Sequence, residues 1–231
     1  MCGRISQKGD LADYLKIIRW DPSSVSVRPR PSAARPLAPR YNVAPGTRPL
    51  VLHRLDDGAK HADWLFWGYC PPWFARGTVT NACIDTLLGR GTFWRRLFEH
   101  GRVIVPADGW YEWTGKKPQK QPWFIQARNQ RPCLIAGITA WRPSEEHSKH
   151  NGMALVTDDS AGGMVDIGDR RPVVLAADDA LDWMDPATTI EEAKEILLAP
   201  RPESAFEWYP VTPAVSNAQY QLPDACQPIA L

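Results

Sequence analysis

From Pro49 onward the chain breaks its apolar stretches into short runs bounded by Gly, Pro or Asp. That punctuation restricts it to a fold built mostly from short strands. The runs 49–54, 62–69, 102–107, 109–114, 121–127, 133–142, 152–158, 170–176 and 206–211 are rich in β-branched or aromatic residues and read as strands. Helical periodicity interrupts them at 93–100, 178–184 and 189–199, where Thr188 and Glu191 form a capping box. A further short helix follows the N-terminus, with Asp10 as N-cap and Leu11, Tyr14, Leu15 and Ile18 on one face. Without regular βαβ alternation, the pattern predicts a single α+β domain over residues 1–231 rather than a doubly wound sheet. Pro22 to Arg40 holds five prolines and four arginines; it reads as a loop, with disorder an open alternative.

Composition narrows the setting. At 44% hydrophobic and 23% charged residues, the 231-residue chain is of the soluble globular type. No apolar run reaches the roughly 18 residues of a membrane helix and no leader precedes the first motif, so a cytoplasmic protein is expected. The five cysteines, at 2, 70, 83, 133 and 226, form no CxxC pair and leave one over in any pairing scheme. That favours a reducing compartment over a disulfide framework or a zinc site, and neither metal nor cofactor is expected.

The formal net charge of +1 hides a division. Residues 1–131 carry 21 Lys and Arg against 10 Asp and Glu, whereas 132–231 carry 6 against 16. An Arg-rich segment in a neutral chain fits an anionic partner, nucleic acid first, unless the two charge fields face each other within the fold. Eleven tryptophans are several times ordinary usage, and Trp73, Phe74, Trp110, Trp113 and Trp123 lie within the basic part. Aromatic faces among arginines suit single-stranded nucleic acid, because bases stack on rings while guanidinium groups hold phosphates. Taken singly, each of these tryptophans also fits an ordinary core role.

Cys2 follows the initiator Met. Removal of Met1 would leave an α-amine and a thiol on adjacent carbons, with reference pKa values of about 8 and 8.5. Such an aminothiol condenses with an aldehyde to an imine and then closes a thiazolidine ring. It is equally suited to act as an N-terminal nucleophile in amide hydrolysis.

Met1-Cys2-Gly3-Arg4, Tyr41-Asn42-Val43-Ala44-Pro45-Gly46, Trp67-Gly68, Asn81-Ala82, Ala107-Asp108-Gly109-Trp110-Tyr111-Glu112-Trp113 and Asp169-Arg170-Arg171-Pro172 occur in this order. Together they closely resemble the SOS-response-associated peptidase (SRAP) family, over nearly the whole chain to Val215-Ser216-Asn217. The resemblance implies a compact α+β domain with a β-barrel-like mixed-sheet centre, flanking short helices and a positive channel for single-stranded DNA. It implies self-removal of Met1, then covalent capture of the abasic-site aldehyde by Cys2, a lyase-like crosslinking reaction of a monomer acting in DNA repair. Asn81 then matches an amide near the Cys amine or sugar. Glu112, on the strand face shared by Asp108 and Trp110, matches a carboxyl whose pKa desolvation raises for proton transfer. Arg4, Arg170 and Arg171 match phosphate-binding positions, and Arg90 joins them in the expected DNA-binding set; Asn42, Pro45, Trp73, Phe74 and Trp113 would shape the channel. Salt bridges from the arginines to Asp166 or Asp169 are the structural alternative.

The chain departs from the pattern in three places. Gly168 stands where the family has histidine, Cys83 where it usually has Arg, and Asp85 where it has Glu. Glycine offers no proton, so slower crosslinking is expected, and an imidazole-sized void there would let added imidazole restore rate. Three readings stay open: an abasic-site capture protein, an N-terminal-nucleophile peptidase, and a single-strand binder without chemistry.

Overall fold

The computed structural model describes residues 3–28, 38–116 and 118–230. In chain order the first strands are β1 (Ile5–Gln7), β2 (Val25–Val27), β3 (Arg40–Val43), β4 (Leu50–His53), β5 (Lys60–Trp64), β6 (Asn81–Cys83) and β7 (Arg102–Ala107). They are followed by β8 (Gly109–Thr114), β9 (Gln121–Ala127), β10 (Cys133–Thr139), β11 (Met153–Asp159), β12 (Arg170–Pro172), β13 (Val174–Leu175) and β14 (Phe206–Pro210). The helices are α1 (Leu11–Ile17), α2 (Ile84–Leu88), α3 (Arg95–His100), α4 (Ala177–Met184) and α5 (Ile190–Leu198). This is the α+β domain the sequence predicts. No helix among the described residues is long and apolar enough to cross a membrane.

The strands form two open sheets. A smaller one runs β14-β9-β8-β1-β3 and a larger one β12-β11-β10-β7-β4-β5-β2, with β13 added on β10 and β6 on β11. The larger sheet is apolar on both faces, and period-2 alternation sorts its residues. Val51, Val103, Val105, Ile135 and Leu155 face Ile5, Trp110, Ile125 and Phe206 of the smaller sheet. Leu52, Ile104, Leu134, Ala136 and Val156 face Leu15, Leu97, Trp183 and Leu197 of the helices. The outer face of the smaller sheet is covered in turn by the C-terminal segment, where Val211, Val215, Ala225 and Cys226 pack on Tyr111 and Phe124.

Buried polar groups fasten these layers. The Gln7 side-chain amide donates to the carbonyls of Leu50 and Pro106 and accepts from the Leu50 N–H, joining β1 to β4 and β7 where the sheets diverge. The Tyr111 hydroxyl donates to the Tyr41 carbonyl at 2.7 Å and lies 3.0 Å from the Cys226 sulfur, which fixes the C-terminal segment. Gly109 opens β8 because any side chain there would meet the Ile125 carbonyl at 2.4 Å and the Phe124 ring at 2.5 Å.

Several sequence boundaries shift. The strand expected over 62–69 is Lys60–Trp64, that over 133–142 is Cys133–Thr139, and 170–176 splits into β12 and β13 around Val173. Four short strands, β1, β2, β3 and β6, and helix α2 were not expected. The first part of the expected 22–40 loop carries a 3-10 turn at Pro22–Ser24 and then β2; residues 29–37 lie outside the described ones. The capping box is Thr189 with Glu192, one residue later than expected. Thr188 is engaged elsewhere: its hydroxyl donates to the Asp182 carbonyl and its own carbonyl accepts from Arg102.

Trp183 is fully buried and its indole N–H donates to the Val103 carbonyl. Trp183→Ala should cost about 3–5 kcal/mol in urea unfolding. Thr189→Ala, which removes only the cap, should cost about 1 kcal/mol.

Candidate active site

Strand β8 carries the central group. Alternation points Trp110 and Glu112 toward the layer between the sheets and Tyr111 toward the C-terminal segment. Glu112 is only 6% exposed, so it is not the surface carboxylate that nearby lysines would pair. Burial pushes its carboxyl up to about 7; the positive charge of the chain's amino terminus pulls the other way, and Asp169 adds to the rise. The sequence expected this direction from desolvation by aromatic neighbours.

A cleft of about 470 Å³ opens beside it, lined by Arg4, Glu112, Trp113, Lys120 and Ser216. Arg4 donates to the Asn42 side-chain oxygen at 2.6 Å and to the Val215 carbonyl at 2.8 Å, and its guanidinium lies over the Trp113 ring at 5.6 Å. Burial holds the Arg4 pKa below its usual value. Trp113 donates its indole N–H to the Ser216 hydroxyl. Asn42 is buried, and its amide nitrogen donates to the carbonyls of Val215 and Asn217. Its side chain is thereby committed to holding Arg4 and the C-terminal segment rather than to facing the channel, as the sequence reading had it.

Gly168 lies against Glu112. It follows the 3-10 turn Gly162–Asp166, donates its N–H to the Met164 carbonyl, and precedes Asp169 and β12. A Cβ built on it would lie 3.1–3.3 Å from Cγ, Cδ and Oε2 of Glu112. Glu112 is thus the nearest neighbour of any side chain placed at 168.

The other expected residues fall into separate groups. Asn81 opens β6, which runs parallel to β11 with Asn81 opposite Leu155. Two residues on, the Cys83 thiol contacts the Arg170 guanidinium, which also pairs with Asp159 at 3.1 Å and Asp85 at 3.9 Å. The structural alternative for Arg170 thus operates, with Asp159 and Asp85 in place of Asp166 and Asp169. Arg171 is 7% exposed and donates to the Arg201 carbonyl, so its guanidinium is turned into the fold. Trp73 is 69% exposed and joins Phe74 and Phe93 in an aromatic cluster with ring centroids 4.8–6.1 Å apart. Arg90 is exposed just beyond α2, and Pro45 is half-buried in the turn after β3, where Gly46 takes a φ of 80°. Cys2 lies outside the described residues.

Lys120 and Ser216 were missed by sequence reasoning. Ser216 stands in the Val215-Ser216-Asn217 stretch where the motif resemblance ends, and that was its only signal; nothing marked Lys120 among the neighbouring lysines.

Ionising a buried carboxyl weakens the folded state. With a folded value of about 7 against an unfolded one near 4.3, Glu112 leaves stability intact below about pH 4 and removes it as pH rises through 7. Glu112→Gln should therefore gain stability relative to the parent as pH rises from 4 to 8 in thermal melts. A constant difference across that range would contradict the burial.

The model of the SOS response associated peptidase (SRAP) family matches residues 1–218. The chain is 38% identical to the abasic site processing protein YedK of Escherichia coli, over 99% of this chain and all of the other. It is 30% identical to the abasic site processing protein YoaM of Bacillus subtilis, over 94% and 93% of the two chains. Among solved structures, a phage-related protein from Bordetella bronchiseptica superposes with a TM-score of 0.80 at 46% identity, covering 96% of this chain and all of that one. The chain belongs to the SOS response associated peptidase family.

Proposed function

We propose that this protein processes abasic sites in single-stranded DNA by covalent capture through Cys2. The observation that carries this reading is a carboxyl buried in the cleft, which burial pushes up to about 7, set beside Arg4 in a chain that begins Met1-Cys2. Its relatives YedK and YoaM, named as abasic site processing proteins, support the same substrate.

The chemistry follows from the groups. Hydrolysis of the Met1–Cys2 peptide bond frees the Cys2 amine. That amine adds to the aldehyde carbon of the ring-opened sugar, and loss of water leaves an imine. The Cys2 sulfur then adds to the same carbon, the imine nitrogen takes up a proton, and a five-membered thiazolidine closes. Glu112 is present in both protonation states near pH 7. The acid form delivers the proton that lets the carbinolamine hydroxyl leave as water, and the carboxylate accepts the proton the amine gives up. Arg4 and Lys120 supply positive charge for a flanking phosphate, and Trp113 supplies a face for a base. Trp73, Phe74 and Arg90 form a second contact region for the strand, and Asn81 contacts the sugar or amine.

The test uses Met1-processed protein and single-stranded DNA with one abasic site, read on a denaturing gel. A heat-stable shifted band is expected from the parent and none from Cys2→Ala. Glu112→Gln should slow the band's appearance on the order of 100-fold, and the parent's rate should fall away on both sides of pH 7. Binding that weakens with salt but leaves no band would instead assign a single-strand binder without chemistry.

A further inference from the structure

We propose that Ser216 is a DNA-binding residue: its hydroxyl donates to a non-bridging oxygen of the same backbone phosphodiester that Arg4 and Lys120 hold. This rests on the reading of the cleft as a single-stranded DNA site and adds to it a neutral contact supplied by the C-terminal segment.

Phosphate contacts in this chain have few sources. Position 83 offers a thiol, the Arg170 guanidinium is shared among that thiol, Asp159 and Asp85, and Arg171 is turned into the fold. At the cleft the cations are less committed. Arg4 makes both of its hydrogen bonds through Nη1, to Asn42 and Val215, so Nη2 has no acceptor among the described residues. Lys120 is exposed just before β9 and pairs with no carboxylate among the described residues. Glu112 is the one carboxyl in the cleft's lining, and it is buried.

The valence of the Ser216 hydroxyl points to the same ligand. An indole N–H can only donate, whereas a hydroxyl has one proton and two lone pairs. Trp113 Nε1 donates to Ser216 Oγ at 3.2 Å, which uses a lone pair. The hydroxyl proton itself has no acceptor among the described residues, and Ser216 is exposed at the cleft.

Neighbours hold Ser216 in place. It ends the 3-10 helix Pro213–Ser216. Val215 before it is buried against Tyr111 and Phe124, and its carbonyl accepts from Arg4 and Asn42. The Asn217 carbonyl after it accepts from Asn42 as well. Arg4 and Ser216 are thereby fixed about one ring, Arg4 over the face of Trp113 and Ser216 at its N–H. A guanidinium, an ammonium and a hydroxyl so converge on one cleft. A phosphodiester, with two free oxygens and a single negative charge, accepts from all three. The hydroxyl adds a directed bond without adding charge, which separates its effect on affinity from that of Lys120.

The test measures binding of single-stranded DNA carrying a tetrahydrofuran abasic analogue, which has no aldehyde and forms no crosslink. Ser216→Ala, at an exposed position, should weaken binding on the order of 10-fold and leave the salt slope unchanged. Lys120→Gln should flatten that slope by about 0.7, the release expected for one phosphate contact on a single strand. Ser216→Thr keeps a hydroxyl and should recover most of the loss. A methylphosphonate moved along the linkages near the analogue then locates the contact, because a bond to this uncharged group is about half as strong. At one linkage the Ser216→Ala penalty should shrink to about threefold, and at the others it should stay at about tenfold. A parental dissociation constant in Ser216→Ala would overturn the proposal. So would a penalty equal at every linkage, the mark of a residue that only supports Trp113. A parent that does not bind this DNA overturns it too. A parent that binds it but forms no band with an aldehyde-bearing strand sinks the capture chemistry proposed above, while the linkage scan still decides the contact.

Discussion

The constraint on which the structure depends is the double burial of the larger sheet. Strands β7 and β10 are apolar on both faces, and water is kept from one face by the smaller sheet and from the other by the five α-helices. Covering one face with a second sheet creates a new apolar surface, the outer side of β8 and β9, which must be covered in its turn. The C-terminal segment does this, and in doing so brings the Val215 carbonyl to Arg4 and the Ser216 hydroxyl to Trp113. The cleft is thus a consequence of layering, assembled where β1, β8 and the last part of the chain meet.

How much of this was legible depended on whether the signal was local. Period-2 alternation placed Trp110 and Glu112 on one face of β8 and Tyr111 on the other, because a strand's pleat is fixed by the chain itself. The central strands were legible for the same reason. The three-residue strands Ile5–Gln7, Val25–Val27 and Asn81–Cys83 were not, since so few residues carry no period and pairing alone makes them strands. At the capping box, adjacent Thr188-Thr189 and Glu191-Glu192 allow two registers. The choice between them is made by bonds to Asp182 and Arg102, which are remote in sequence from the cap or belong to its approach. The family resemblance put Asn42 in the channel wall and Arg171 on a phosphate, and it is partners more than 25 residues away in sequence that turn both side chains inward.

The division of charge along the sequence resolves partly within the fold. Arg19 pairs with Asp178, Arg54 with Asp185, and Arg142 with Asp56, each joining the basic part of the chain to the acidic part. Arg170, from the acidic part, is occupied by Asp159 and Asp85. Exposed pairs of this kind contribute little stability, but they remove cations from the set open to a ligand. What remains at the cleft is selective: Arg4, held by neutral oxygens, and Lys120. A guanidinium whose partners are an amide oxygen and a carbonyl keeps its full charge for an incoming phosphate, whereas one locked between carboxylates does not.

The same logic explains why the buried carboxyl of Glu112 sits on a strand rather than on a loop. Keeping a carboxyl near 7 requires withholding water from it, and by linkage that burial costs the folded state about 4 kcal/mol once the group is ionised. A loop would relax and let water in, returning the group to its ordinary value. Strand β8 cannot relax in that way: it is paired with β1 and β9, its Tyr111 is anchored beneath the C-terminal segment, and Gly109 lets β9 approach closely. Gly168 lies on the other side of the carboxyl, where a Cβ would come within 3.1–3.3 Å of Glu112.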